Sequence, residues 1–209
     1  MTAALPMADA NDIVQLLSPQ ALGLRDADRW RVGRETVMPV TGERADFAVF
    51  GAETWLVEIK SARDSLRRLP RQAEAFGRIA DRCVLVAASR HVAHAVAVLP
   101  DWWGVMEVSD APTLALAWYR AAGENPERDR RAQLLMLRRR EAAAAVAAIG
   151  GHSGAERRRM SLLAELDRRL SDDELAACVR SALARRHAPH DADLAMRPIR
   201  LATHSFVRS

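Results

Sequence analysis

The stretch ERADFAVFGAETWLVEIKSARDSLRRLPRQAEAF, residues 43–76, decides how this chain reads. Residues 45–50, ADFAVF, have the apolar, aromatic-containing composition of a strand. Gly51 marks a turn, and TWLVEIKS, residues 54–61, is the next strand. Successive side chains of a strand point to opposite faces. Trp55, Val57 and Ile59 therefore share one side, while Leu56, Glu58 and Lys60 share the other. A carboxylate and an ammonium on one face of an apolar strand are costly to bury without partners. Asp46 lies in the preceding strand, and a meander can bring it beside Glu58.

Working outward, the preceding segment ETVMPV, residues 35–40, is expected to be a strand, with Pro39 forcing an edge position or an early end. Thr41-Gly42 is a turn, so three strands form an antiparallel meander. A helix is expected from about Asp64 to Ala80, with Pro70 in a first turn or dividing two helices. CVLVAAS, residues 83–89, is a continuous apolar run of the buried-strand kind. A short helix over 91–99 and a strand over 102–109 complete a strand–helix–strand order. Residues 9–18 make a short helix on the amino-terminal side, and 112–119 is an apolar segment of undecided type. The fold class is α/β: a mixed sheet with flanking helices and a mostly helical carboxy-terminal half. The division expected is an α/β core over 1–123, a helical region over 124–187 broken at Gly150-Gly151, and a flexible tail over 188–209. Ser171-Asp172-Asp173-Glu174 has the form of a capping box and starts the last helix.

Composition narrows the function classes. Of 31 basic residues, 30 are Arg, and the single lysine is Lys60. Retaining Lys where Arg is otherwise used throughout suggests a need for a compact ammonium rather than a planar guanidinium. Residues 1–110 carry 13 basic against 15 acidic side chains, and residues 111–209 carry 18 against 12. The positive excess of the second half reads either as a solvated helical surface or as an element that faces phosphates. No apolar run reaches the roughly 20 residues of a membrane span. The amino-terminal stretch, with Asp9 and Asp12, does not have the form of a signal peptide. Cys83 and Cys178 lack metal-site spacing and fit a reducing, cytoplasmic setting. Neither a GxxxxGK[ST] loop nor a GxGxxG fingerprint occurs.

Asp46, Glu58 and Lys60 suit phosphodiester hydrolysis. Two carboxylates hold a hard cation such as Mg2+, the cation polarises phosphate and acidifies water, and a lysine positions that water or stabilises developing charge. The spacing alone also fits a Glu–Lys pair on a half-exposed strand, with Asp46 capping a turn.

An acid on one strand followed by (D/E)-x-K on the next resembles the core of the PD-(D/E)xK nuclease superfamily. RADFAV followed by WLVEIKS is similar to MmcB-like bacterial proteins and to a related bacterial nuclease-like family. In the latter, segments like Asp64-Ser65-Leu66-Arg67-Arg68-Leu69-Pro70-Arg71-Gln72 and Pro100-Asp101-Trp102-Trp103-Gly104 recur, with a helical carboxy-terminal half. Ala45 stands where the family name has Pro. The resemblance implies a restriction-endonuclease-like core, Asp46 and Glu58 as metal ligands, Lys60 as the catalytic lysine, and Mg2+ as cofactor with Mn2+ able to substitute. Gln72-Ala73-Glu74-Ala75-Phe76 matches a Q-x-x-x-Y motif of several members, with Phe76 in place of Tyr. Gln72 is thereby a candidate to orient a metal ligand or contact a phosphate, against the plainer reading of a polar helix residue. The third acid of the family is assigned to Glu35, with Asp12 as the rival.

Arg67, Arg68 and Arg71 follow the lysine strand and are candidate phosphate contacts, since Arg binds phosphate bidentately. A solvated helix face explains them equally well. His91 and His94 form H-x-x-H without a third ligand and read as surface or capping residues. At least one of Trp102 and Trp103 is expected in the core. The leading expectation is a metal-dependent endonuclease acting on DNA, in repair or defence, with a second copy of the chain as an admissible partner. The alternatives are a nuclease-like module that binds nucleic acid or protein without cutting, and a structural module that oligomerises through its helices.

Overall fold

The computed structural model describes residues 8–26, 29–109 and 114–187. The expected flexible tail, 188–209, lies outside the described residues. Helix α1 (Ala10–Leu16) is followed by strands β1 (Arg31–Val37), β2 (Arg44–Phe50) and β3 (Thr54–Lys60). A 3-10 turn, Leu66–Arg68, leads into α2 (Leu69–Gly77), then β4 (Arg82–Ala88), α3 (Ser89–Val98), β5 (Gly104–Ser109) and β6 (Ala115–Arg120). Helices α4 (Arg130–Met136), α5 (Arg139–Ala148), α6 (Arg159–Arg169) and α7 (Asp172–Arg186) complete the described chain.

The six strands lie in sequence order in one mixed sheet. β1–β2 and β2–β3 are antiparallel, β3–β4 and β4–β5 are parallel, and β6 returns antiparallel to β5. The meander is short-turned because Gly42, at φ +70°, closes its first turn. The parallel pairs need crossovers, which α2 and α3 supply. β3 and β4 are correspondingly apolar and buried almost throughout.

Alternation divides the sheet into two faces. Phe47, Val49, Trp55, Val57, Ile59, Val84 and Val86 pack with Ile13 and Val14 of α1 and with Leu17, which caps it. Ala48, Phe50, Leu56, Cys83, Leu85 and Ala87 pack against the other helices. That second cluster also holds Ala142, Leu162, Leu166, Leu175 and Val179, so α5, α6 and α7 share a core with the sheet. The stretch joining the halves is pinned as well. Asn125 Nδ2 donates to the carbonyls of Gly77 and Ala80 at 2.6 and 2.7 Å, and Arg128 pairs with the buried Asp81.

Several boundaries differ from the sequence expectation. β1 starts at Arg31 and ends at Val37, before Pro39, because the chain turns where Met38 N–H meets Glu43 O. The helix expected over 64–80 divides into the 3-10 turn and α2, with Pro70 in the first turn. Trp102 and Trp103 precede β5, and the undecided segment contributes β6. Trp103 is fully buried and stacks on Phe76, with ring centroids 6.1 Å apart. Ser171 and Glu174 form the expected capping box of α7. Among the described residues, no helix is long and apolar enough to cross a membrane.

Candidate active site

Asp46, Glu58 and Lys60 have the parity of Ala48, Phe50 and Leu56, which puts them on the face covered by α2. The β2–β3 ladder runs from Phe50↔Thr54 to Phe47↔Val57, and one further step sets Asp46 opposite Glu58. There the side chain takes over from the ladder: Asp46 Oδ2 accepts the backbone N–H of Ile59 at 2.8 Å. Glu58 is 2% exposed and Lys60 8%. Lys60 Nζ donates to Glu58 Oε1 at 2.6 Å, and Gln72 Nε2 donates to the same oxygen at 2.6 Å. Gln72 reaches it from α2, whose buried stripe of Leu69, Ala73 and Phe76 fixes the helix on the sheet.

Glu58 Oε2 and Gln72 Oε1 are buried without a hydrogen-bond partner. Unpaired buried acceptors of this kind cost free energy unless something electropositive completes them. Burial pushes the Glu58 carboxyl up to about 7, with Asp46 adding to the rise and Lys60 and Gln72 opposing it. Asp46 is also raised, first by burial, while the Ile59 N–H and Lys60 oppose the rise and Glu35 adds to it. Two carboxylates both raised by burial, one of them raised further by the other, with orphaned oxygens beside them, are a donor set a hard divalent cation would relieve. Mg2+ is commonly held by one or two carboxylates and completed by water. Among the described residues, no group of three or more His, Cys, Asp or Glu side chains is arranged to hold a metal ion.

The two candidates for a third acid fall in different places. Glu35 occupies the β1 position opposite Asp46, between the pairs Arg34↔Phe47 and Thr36↔Ala45. Its φ of +52° interrupts the strand, and its exposed carboxylate forms an ion pair with Arg44. Glu35 thus neighbours the site without joining its buried cluster. Asp12 lies on α1, across the sheet, where it closes a capping box with Asp9.

The three candidate arginines are exposed, Arg67 and Arg68 in the 3-10 turn before α2 and Arg71 in its first turn. Arg68 and Arg71 are paired with Glu43, a buried acid of the β1–β2 turn that the sequence did not single out. His91 is buried rather than on the surface. Its Nε2 lies 3.1 Å from the carbonyl oxygen of Ser61, the residue after Lys60. Asp64 Oδ2 accepts from both the N–H and the hydroxyl of Ser61, at 2.7 and 2.6 Å. The lysine strand is therefore locked at its exit by a local contact from Asp64 and by His91, which packing brings in from 30 positions along the chain. His94 is exposed.

The family model described as Bacteriophage P4 protein cII matches residues 32–204. The chain belongs to this family. The matched span contains Glu35, Asp46, Glu58, Lys60 and Gln72 together, and it begins after α1. No curated protein and no solved structure is a significant match.

Proposed function

We propose that Asp46, Glu58 and Lys60 form the site of a metal-dependent nuclease that hydrolyses phosphodiester bonds in DNA. The observation that carries this reading is the oxygen of Glu58 left without a partner, buried beside a second carboxylate, while Lys60 and Gln72 secure the first oxygen. Asp46 and Glu58 would hold Mg2+ or Mn2+. When bound, such a cation supplies Lewis-acid charge to a phosphate oxygen and lowers the pKa of a water.

The chain's own residues have separable tasks. Gln72 and Lys60 fix the Glu58 carboxylate so that its second oxygen is held in place. Ile59 N–H fixes one oxygen of Asp46 in the same way. Lys60 places its positive charge where negative charge develops on the phosphate in the transition state. Burial of Glu58 and Lys60 lowers the local dielectric and strengthens each of these interactions. Nicking of supercoiled plasmid in Mg2+ and in Mn2+, with Glu58→Gln as the control, tests the reading. Cleavage by the wild type that is lost in the variant is the expected result. DNA retention without nicking under either metal would replace the nuclease by a binding module.

A further inference from the structure

We propose that Glu43 is a positioning residue, holding Arg68 and Arg71 as a preformed receptor for a substrate phosphate adjacent to the scissile one. This rests on the nucleic-acid reading of the neighbouring acids and names how that site takes hold of its substrate. The Glu43 side chain is 3% exposed, whereas those of Arg68 and Arg71 are 71% and 70% exposed. The pattern is unlike an ordinary surface ion pair, in which both partners are wet and mobile. Here a hidden carboxylate fixes two guanidiniums that project into solvent.

The hydrogen bonds leave the outer donors open. Arg68 gives one terminal nitrogen to Glu43 at 2.8 Å. Arg71 gives Nε to the other Glu43 oxygen at 2.8 Å and a terminal nitrogen to the Thr41 carbonyl at 3.3 Å. One carboxylate offsets only one of the two guanidinium charges, so the cluster keeps a net positive charge. Guanidinium donors set side by side match the oxygens of a phosphate, and prior fixation reduces the side-chain entropy lost on binding.

The placement suits this use. Arg68 precedes Gln72 by four residues, one helical turn, and Gln72 touches Glu58. Arg71 is its immediate neighbour. The hydrogen bond and charge of Glu43 hold the Arg68 guanidinium more firmly protonated, and the charges of Glu58 and Asp46 add to this. The pair therefore stands at the border of the acidic site, where a polyanion needs positive charge to approach two carboxylates.

The test is the affinity of the full chain for a short fluorescein-labelled DNA duplex, measured in EDTA across a salt series so that cleavage plays no part. Arg68→Gln with Arg71→Gln is expected to weaken binding and flatten the slope of log affinity against log salt by up to about 1.8. Glu43→Gln is expected to weaken binding about tenfold, although it removes a negative charge and simple electrostatics would strengthen binding. In the double-arginine background, Glu43→Gln should have no further effect, because the three residues act as one unit. Equal losses from Glu43→Gln in both backgrounds, or tighter binding by a folded Glu43→Gln protein, would overturn the assignment. If Glu43→Gln does not fold, the arginine variant decides, and an unchanged affinity and slope there overturns it. A wild type that does not bind the duplex also overturns it. Plasmid nicking is scored separately. Binding that follows this pattern without nicking removes the hydrolase reading and keeps the receptor. Nicking with unaffected arginine variants removes only the receptor.

Discussion

Lys60 Nζ lies 2.6 Å from one oxygen of Glu58, and the other oxygen of that carboxylate is buried with no hydrogen-bond partner. The asymmetry has a physical cause. Lys60 is two residues along the same strand and shares its face, and Gln72 descends from α2 to the same oxygen. Both donors come from one side, so the second oxygen is left for a ligand. A buried Glu–Lys pair kept for stability alone would gain by satisfying both oxygens, since leaving one bare costs on the order of 1–3 kcal/mol.

The carboxylates should be separable from the rest of the fold. Asp46→Asn and Glu58→Gln each remove a charged oxygen donor while keeping shape. Each is expected to abolish cleavage and to weaken Mn2+ binding, read by titration calorimetry. Unchanged Mn2+ affinity in both variants would remove the metal assignment.

Lys60 should matter for rate rather than for metal. Lys60→Ala is expected to lose cleavage while retaining Mn2+ binding at pH 8 and most DNA affinity, since one ammonium is a small part of a multi-phosphate contact. Lys60→Arg should not restore full activity, because a planar fork cannot replace a compact charge in a buried site. Single-turnover cleavage distinguishes the two, and full activity of Lys60→Arg would make the lone lysine incidental.

The raised Glu58 gives a signed pH dependence. Its carboxyl titrates near 7 in the fold against 4.5 as the reference. Folding therefore favours the protonated form. This contribution to stability is complete below about pH 4.5 and is lost as pH rises through 7, reaching about 3 kcal/mol at most. Glu58→Gln should accordingly melt higher than the wild type at pH 8 in EDTA, with the gap closing toward pH 5. Mn2+ affinity of the wild type should rise with pH and level off above 7, because the ion must displace a proton below that value. A melting gap independent of pH would contradict the buried, proton-favouring site.

The carboxy-terminal helices should unfold with the sheet. Leu175 of α7 is fully buried in the cluster that contains Leu56 and Leu85. Leu175→Ala is expected to cost about 2–5 kcal/mol, the range for a large-to-small core change. Circular dichroism and tryptophan fluorescence should then report one coincident transition at lower temperature. A variant whose sheet signal melts as in the wild type would show that α7 is not part of the shared core.

Local pattern determined much of this protein. Period-two alternation in TWLVEIK put Glu58 and Lys60 on one face whatever the rest of the chain does, because a strand offers only two faces. The turn at Gly42, the first-turn Pro70 and the Ser171–Glu174 cap follow from backbone chemistry within a few residues. The face of β2 that carries Asp46 follows from the same alternation. What required the tertiary structure is everything set by contacts between residues distant in sequence. Glu43 looks like a turn residue until folding buries it and brings two arginines across 25 and 28 positions. His91 reads as a surface residue until α3 carries it to the Ser61 carbonyl. Asp12 stands as the rival of Glu35 for a third acid until the sheet places Asp12 on the far face and Glu35 at the position opposite Asp46. Hydrophobic periodicity says which side of an element is buried, but not which other element buries it. That choice depends on the packing of the whole chain, and so does the state of the oxygen on Glu58 that carries the proposed chemistry.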